Sequence, residues 1–352
     1  METTNVKAFG TEAADASLKQ MNIERRDVTA KDIEIEILYC GVCHSDLHTA
    51  RNDWGGTIYP AVPGHEIVGK VTKTGSEVTK LKVGDFAAVG CLVDSCRTCD
   101  SCKQDLEQYC LNGFTGTYNG KEKYLGTQTF GGYSEKIVVD EHFVLKVPSN
   151  LNLAATAPLL CAGITTWSPL RHWKVGKGTR VAVVGLGGLG HMAIKLAKAL
   201  GANVTLFSRT ASKQKDALEL GANEVVISTD EKHMESVKGK FDLIIDTIPS
   251  VHDVNPYVKT LSVSGTLVLV GYLGGLEPIL NTVPMILGRK AVAGSVIGGI
   301  AETQEMLDFC GEHNIVSEIE MINMQDINEA YERMLKSDVR YRFVIDMASL
   351  KK

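Results

Sequence analysis

The chain has 352 residues, which is the length of about two domains. Its composition, 44% hydrophobic and 22% charged, is that of a folded globular protein and excludes a disordered or collagen-like chain. A net charge of -5 without long single-sign runs excludes an electrostatic footprint for nucleic acid or anionic lipid, so small molecules are the expected partners. Apolar runs such as 267–270 are too short for a membrane helix, and no basic, apolar leader precedes them; a cytoplasmic protein is expected.

The first 150 residues contain short β-branched runs that are separated by glycines. These runs cover 33–38, 67–71, 87–89 and 137–139. Apolar runs of this length and spacing predict a compact β-rich domain.

Beyond residue 148 strand and helix patterns alternate. Strands are predicted at 180–184, 204–207, 224–227, 241–245, 266–270 and 291–296, with helices at 188–200 and near 212–220. This alternation predicts an α/β domain with a doubly wound parallel sheet of six strands.

The last part of the chain is mainly helical, at 302–313 and 326–335, and ends in a strand pattern at 342–345. It has no nucleotide or metal motif, and we expect it to complete the first domain. The predicted domains are therefore 1–150 with 298–352, and 151–297.

Five of the nine cysteines lie between residues 91 and 110, which suggests metal binding by reduced thiolates. Four of them have the spacing of a closed tetrahedral site that has no position open for substrate: Cys96, Cys99, Cys102 and Cys110. We interpret the lobe at about 91–112 as a structural zinc site; free thiols and an iron–sulfur site are the alternatives. The remaining cysteines outside candidate sites, Cys40, Cys91 and Cys310, are expected to be core residues.

A second and looser set comprises Cys43, His65 and Cys161, with Glu66 beside the histidine. Two thiolates and an imidazole balance the charge of zinc and leave a fourth position open, as in a catalytic site. From spacing alone, buried cysteines and a core histidine remain the alternative.

The cofactor motif is a run of glycines directly after the predicted strand 180–184. It reads Gly185, Leu186, Gly187, Gly188, Leu189 and Gly190. The glycines allow a tight turn and let the backbone come close to a dinucleotide pyrophosphate, which would bind at the N-terminus of the following helix. A purely structural glycine turn is the alternative.

The residues at the end of the next strand indicate whether the site binds NAD or NADP(H). An NAD site places a carboxylate on the ribose 2′-hydroxyl, whereas this segment has hydroxyls and cations: Ser208, Arg209, Thr210 and Lys213. This pattern favours NADP(H), with solvated side chains at a helix start as the alternative.

Together these motifs resemble the zinc-dependent medium-chain alcohol dehydrogenases. The similarity runs over essentially the whole chain and is greatest to the cinnamyl alcohol dehydrogenase branch with its bacterial broad-range aldehyde reductases. The segments that carry it are 43–48, 64–66, 159–163, 294–298 and 302–306, with the cysteine lobe and the glycine motif.

The resemblance implies a role for several residues. Cys43, His65 and Cys161 match the catalytic zinc ligands, and Glu66 matches an acidic neighbour that can approach the ion. Further matches are Ser45 and His48 to the proton relay, Asp46 to a residue supporting the metal site, and Thr165 to a position near the nicotinamide. The position of His44 often faces the cofactor's phosphates in the family, with a solvated or structural histidine as the alternative. Independently of the resemblance, the aromatic Trp54 and Tyr59 between the ligands are candidates for a substrate pocket, with core packing as the alternative.

The family also implies a GroES-like catalytic domain built from both ends of the chain, a Rossmann domain between them, and a homodimer joined near 291–297. The expected cofactors are two zinc ions per chain and NADP(H). The expected reaction is reversible hydride transfer between NADPH and an aldehyde, with the alcohol as the other partner.

There are two alternatives, one of them another enzyme and the other from a different functional class. A quinone or enoyl reductase of the same superfamily would lack the zinc ligands, which are present here. A non-catalytic NADPH-binding structural protein would not need the proton path formed by Ser45 and His48.

Overall fold

The computed structural model describes residues 2–271 and 274–351. The chain divides into two compact units: one comprises the residues through Cys161 with those from Gly298 onward, and the other spans 162–297. The first division thus falls at 161 and not at 150. Residues 151–161 stay with the first unit because they pack on its strands.

The N-terminal part of the first unit forms β1 (Thr3–Gly10), β2 (Lys19–Arg26), β3 (Asp32–Gly41), α1 (His44–Ala50), β4 (Ile67–Thr74), β5 (Phe86–Val89), β6 (Leu92–Asp94), β7 (Thr115–Gly116), β8 (Lys136–Asp140), β9 (Leu145–Lys146) and α2 (Leu153–Thr156). The second unit forms α3 (Ala162–His172), β10 (Arg180–Val184), α4 (Gly188–Ala199), β11 (Asn203–Ser208), α5 (Gln214–Glu219), β12 (Glu224–Ile227), α6 (Glu231–Ser236), β13 (Phe241–Asp246), α7 (Asn255–Thr260), β14 (Leu261–Leu269), α8 (Val283–Gly288) and β15 (Ala291–Gly294). The C-terminal part of the first unit forms α9 (Ile300–His313), β16 (Ile319–Asn323), α10 (Ile327–Leu335) and β17 (Arg342–Asp346). Short 3-10 helices cover Cys102–Gln104, Glu107–Tyr109, Glu141–Phe143, Ala157–Leu160, Ala211–Lys213, Met324–Asp326 and Met347–Lys351.

The main sheet of the first unit has the strand order β16-β17-β3-β4-β5-β9, and β8 also pairs with β3. Along β3 the isoleucines Ile33, Ile35 and Ile37 are buried, whereas the glutamates between them are half-buried. This period-two alternation is what a strand with one face on the core requires. The C-terminal β17 pairs antiparallel with β3, with Ile345 opposite Cys40, so the end of the chain completes this sheet.

The second unit contains the parallel sheet, in the order β12-β11-β10-β13-β14-β15. Each neighbouring pair is parallel, and the order reverses direction between β10 and β13. At such a reversal point the carboxyl ends of the strands leave a crevice in which dinucleotides bind. The predicted doubly wound, six-stranded α/β architecture is therefore confirmed for the described residues.

The helices are short, and α9, with 14 residues, is among the longer ones. No single helix in the described ranges is both long and apolar enough to cross a membrane, although one bent pair, 153–160 with 162–172, meets the length and composition requirements together.

Candidate functional site

Four predicted metal-site side chains meet within the first unit: Cys43, His65, Glu66 and Cys161. One ligand atom of each lies within 4.8 Å of those of the others, and all four residues are buried. The Sγ atoms of Cys43 and Cys161 are 3.8 Å apart. Two sulfurs bound tetrahedrally to one zinc ion lie about 3.8 Å apart, so this spacing fits zinc.

The turn before β4 brings His65 to this cluster. Gly64 adopts a φ of +104°, and a β-carbon there would lie 2.8 Å from the backbone nitrogen of Gly132. A side chain is therefore excluded for both conformational and steric reasons. The glycine of the Gly-His-Glu motif is therefore required for the backbone turn that places His65 at the cluster.

Asp46, in the first turn of α1, organises the ligands from behind. Its carboxylate accepts hydrogen bonds from the backbone N–H groups of Cys43 (2.8 Å) and Gly64 (3.0 Å) and from the hydroxyl of Tyr133 (3.3 Å). Its Oδ1 atom also lies 3.0 Å from Nδ1 of His65. A histidine whose Nδ1–H is held by a carboxylate offers Nε2 to a metal, and this arrangement orients metal-binding histidines in general.

The electrostatics of the two thiols are coupled. Their shared hydrogen bond lowers the pKa of Cys43 well below its ordinary value and raises the pKa of Cys161 well above it. The pair thus favours one thiolate, on Cys43, and one neutral thiol, on Cys161. Ionising both sulfurs side by side requires a cation between them.

Glu66 adds a buried carboxylate to the same place. Burial raises its pKa to about 8, while Arg342 donates to its Oε1 atom. Its Oε2 atom has no hydrogen-bond partner in the part of the chain that the structure describes. A buried acceptor without a partner is costly, and a cation in the cluster would offset that cost.

The predicted relay residues lie on α1. The hydroxyl oxygen of Ser45 is 3.7 Å from Sγ of Cys43. His48 lies one turn further along, with its Nδ1 2.8 Å from Oδ2 of Asp53 and its ring 5.1 Å from that of Trp54. The hydroxyl of Tyr59 donates to the carbonyl of Ala50. The helix thus carries a hydroxyl at the cluster and an imidazole towards solvent.

The cysteine lobe forms the second cluster, with its four ligand atoms within 4.8 Å of one another: Cys96, Cys99, Cys102 and Cys110. The sulfurs of Cys96 and Cys102 are 3.9 Å apart, and those of Cys99 and Cys110 are 4.0 Å apart. Backbone N–H groups of Thr98 and Cys99 lower the pKa of Cys96 to about 5. A thiolate set stabilised by N–H donors fits a closed zinc site.

The glycine motif forms the turn between β10 and α4. Gly185 has a φ of +89°, and a β-carbon on Gly190 would lie 2.1 Å from the carbonyl oxygen of Gly185. At the exposed Gly187 an added β-carbon would meet nothing within 4 Å. Side chains are thus excluded at Gly185 and Gly190, where the turn packs against its neighbours, whereas the space beside Gly187 is free. This free space lies at the N-terminus of α4, where a pyrophosphate would bind.

The segment after β11 lies beside this turn. Ser208 is buried and donates to the carbonyl of Thr210, whereas Arg209 is exposed. Lys213 donates from Nζ to the carbonyl of Leu186 in the glycine turn, at 2.8 Å. A 2′-phosphate at this place would meet cations and hydroxyls and no carboxylate from residues 208–213. Thr165 is buried within α3 of the same unit.

Some residues at the metal cluster were not expected from the sequence. Cys91 was expected in the core, but it is only half-buried, and its thiol donates to the carbonyl of Leu160, the residue before Cys161, at 3.6 Å. Its isolated position in the sequence concealed this neighbour. Arg342 and the ring of Tyr118, 5.6 Å from that of His65, also carried no motif. Cys40 and Cys310 are fully buried, as expected.

Comparisons with known proteins identify the family. Residues 29–149 match the alcohol dehydrogenase GroES-like domain, and residues 188–312 match the zinc-binding dehydrogenase domain. The chain is 53% identical over 349 residues to NADP-dependent alcohol dehydrogenase C 1 of Mycolicibacterium smegmatis, with 99% of each chain covered. It is 52% identical over 347 residues to aldehyde reductase YahK of Escherichia coli, covering 98% of this chain and 99% of that one.

A solved structure agrees over the same length. Cinnamyl alcohol dehydrogenase from Sorghum bicolor superposes with a TM-score of 0.94 at 44% identity, with 98% of each chain covered. The expected resemblance to this branch is confirmed. The protein belongs to the zinc-dependent medium-chain alcohol dehydrogenase family.

Proposed function

We propose that this protein is a zinc- and NADP(H)-dependent oxidoreductase that interconverts aldehydes and primary alcohols. The observation that carries the proposal is the buried cluster of Cys43, His65 and Cys161, backed by Asp46. Two thiolates and one imidazole satisfy three positions around a zinc ion and leave one for a substrate oxygen. Relatives named as NADP-dependent alcohol dehydrogenase and aldehyde reductase support the same activity.

In this proposal Cys43, His65 and Cys161 hold a catalytic zinc with Glu66 beside it, and the four lobe cysteines hold a structural one. When bound, zinc polarises the substrate carbonyl as a Lewis acid and NADPH supplies the hydride. Both sulfurs would be ionised with the cation bound, and Asp46 holds His65 in one tautomer through its contact with Nδ1.

Ser45 and His48 move the proton. The Ser45 hydroxyl, beside Cys43, donates a proton to the substrate oxygen during aldehyde reduction and accepts one during alcohol oxidation. His48, whose side chain is 26% exposed, exchanges that proton with solvent while Asp53 holds its ring.

The second unit binds the dinucleotide in this proposal. The glycine turn 185–190 receives the pyrophosphate, and the segment containing Ser208, Arg209, Thr210 and Lys213 receives the 2′-phosphate. Thr165, buried in α3, is placed near the nicotinamide in this proposal.

We also propose a cytoplasmic homodimer. The thiols of both clusters must stay reduced, which suits a reducing compartment. The last strand of the parallel sheet, β15, follows a helix whose residues Ile286 and Leu287 are 76% and 82% exposed. Exposed apolar groups next to an unpaired sheet edge favour pairing with a second copy. Sedimentation of wild type and Leu287→Lys tests this: the dimer should dissociate in the variant.

The function is tested with a panel of aldehydes and alcohols, assayed with NADPH and NADH, alongside a zinc count. Cys43→Ala should lower aldehyde turnover by about a thousandfold and remove one zinc per chain, because the charge stabilisation at the substrate oxygen is lost. NADPH binding should persist, and Cys310→Ala serves as the matched control. Aldehyde reduction by Cys43→Ala at the wild-type rate would refute the proposal.

A further inference from the structure

A buried carboxylate at the end of β13 organises the loop that follows it. Asp246 is only 1% exposed, yet both of its oxygens are engaged. Oδ1 accepts the backbone N–H of Ile248 at 3.1 Å, and Oδ2 lies 2.9 Å from Nε2 of His252. The other ring nitrogen of His252 lies 2.8 Å from the carbonyl oxygen of Ser250. The segment 247–252 is thus folded around one carboxylate, and we call this arrangement the clasp.

The clasp lies directly against the glycine turn. Both the backbone N–H and the hydroxyl of Thr247 donate to the carbonyl of Val184, the last residue before the turn. A β-carbon on Gly185 would lie 2.7 Å from Cδ1 of Ile248, so the isoleucine side chain fills the space behind that glycine. A β-carbon on Gly271 would also lie close to this residue, 2.3 Å from the carbonyl oxygen of Ile248. The position of Ile248 therefore restricts the conformation of the turn.

We propose that His252 is a positioning residue for the dinucleotide, whose ion pair with Asp246 fixes segment 247–252 behind the glycine turn and thereby sets the affinity for NADPH. This inference rests on the proposed function, since it assumes that the turn 185–190 binds the cofactor. His252 itself is not expected to touch the reacting atoms.

The charge of His252 follows from its contacts. Both ring nitrogens face acceptors, which only the doubly protonated imidazolium can satisfy. The hydrogen bond with Asp246 raises the pKa of His252 above its ordinary value. The groups that face it are Asp246 from β13, Asp253 and the Ser250 carbonyl from the loop, and the ring of Tyr257 from α7 at 6.2 Å. Both carboxylates favour the charged form.

The pH dependence has a definite sign. A group whose pKa is raised in the folded state stabilises that state below its ordinary pKa and loses this effect as the pH rises through the raised value. Above it, the neutral imidazole of His252 can donate to only one of its two acceptors. NADPH affinity should therefore fall as the pH rises through the raised pKa of His252. At pH 7 and above the 2′-phosphate is mostly ionised, because the second pKa of a phosphate monoester is about 6.

The test is a titration of NADPH fluorescence with zinc-loaded protein at pH 7, 8 and 9. His252→Gln should bind NADPH about tenfold more weakly than wild type at pH 7, since a hydrogen bond to a charged group is lost. Its affinity should not change with pH.

Asp246→Asn, which keeps an acceptor for Ile248, should also remove the pH dependence. The exposed His172 gives the matched control, His172→Gln, with wild-type behaviour. At saturating NADPH the kcat of His252→Gln should stay within about twofold of wild type, as for a positioning residue.

Hydrogen exchange of the cofactor-free protein gives an independent readout, since the Ile248 amide should exchange faster in both clasp variants. Wild-type affinity and wild-type pH dependence in His252→Gln would overturn the inference and leave the proposed function intact. Unchanged exchange at Ile248 would overturn it as well, including for a variant that is too unstable for titration. A wild-type protein that binds no NADPH would instead refute the proposed function.

Discussion

The replacement Asp46→Asn tests how much the metal site depends on one carboxylate. Asp46 is fully buried and takes hydrogen bonds from four groups, two at each oxygen. Oδ1 serves Gly64 and His65, and Oδ2 serves Cys43 and Tyr133. Asparagine has the same shape but replaces one acceptor oxygen by an NH₂ donor.

The cost follows from where the NH₂ group is placed. At the Oδ1 position it would face two donors, so the Oδ2 position is preferred, where the Tyr133 hydroxyl can turn round and accept. The backbone N–H of Cys43 then loses its partner and remains buried. One lost bond to a charged group and one unsatisfied N–H together cost about 3 to 5 kcal/mol of unfolding free energy. Zinc affinity should fall by about 10- to 100-fold because His65 loses its charged support.

Two measurements check this prediction: urea unfolding at fixed free zinc and competition for zinc with a chromogenic chelator. Asp15→Asn, at an exposed position, is the matched control. An Asp46→Asn protein with the stability and the zinc affinity of wild type would show that the carboxylate does not organise the ligands.

Three further predictions concern other parts of the chain. Cys99→Ser should lose one zinc per chain and lower the melting temperature with little change in kcat, whereas Cys310→Ala should keep both ions; normal stability with full zinc would contradict a structural site. Ser208→Asp should reduce the preference for NADPH over NADH by at least about tenfold in kcat/KM through charge repulsion, with Ser208→Ala as control, and an unchanged preference would exclude this segment from the 2′-phosphate site. Asp32→Asn should lower the unfolding free energy by about 2 kcal/mol at pH 7, because the buried Arg26 loses one of its two charged partners and keeps Glu122. Burial raises the pKa of Asp32, but hydrogen bonds from Arg26 outweigh that effect and keep the folded-state pKa below its ordinary value. The difference in unfolding free energy between variant and wild type should therefore shrink as the pH falls from the ordinary pKa through the lowered one. Urea titrations at several pH values measure this difference, and a constant difference would contradict the ion pair.

The parallel sheet could be predicted because its strands are buried on both faces. The run 181–184 is continuously apolar, 241–245 is interrupted only by Asp242, and the glycine turn marks where the first helix begins. The hairpin of β1 and β2 was not predicted. The strand Lys19–Arg26 carries mostly polar residues, and it forms a strand through its pairing with β1.

The metal ligands could be predicted by type and by family pattern, but their surroundings could not. Tyr133 and Arg342 reach the cluster through strand pairing and packing, which leave no local spacing to detect. Cys91 is 70 positions from Cys161 in the sequence, and nothing in that separation indicates that its thiol contacts the residue next to Cys161. Residues that support a site from behind are selected by shape and by hydrogen bonding, and these appear only in the folded chain.

Arg342 shows why the last part of the chain belongs to the metal site although it carries no motif. Pairing of Val344 with Gly41 brings β17 next to the strand that ends just before Cys43, and Arg342 then meets Glu66. A β-carbon on Gly41 would lie 1.9 Å from Oε2 of Glu66, so this strand also makes room for the carboxylate. The buried carboxyl group of Glu66 therefore gains Arg342 as a partner only after the tail has joined the sheet. Because a buried polar group without a partner is destabilising, assembly of the sheet and completion of the metal site are expected to be coupled in folding.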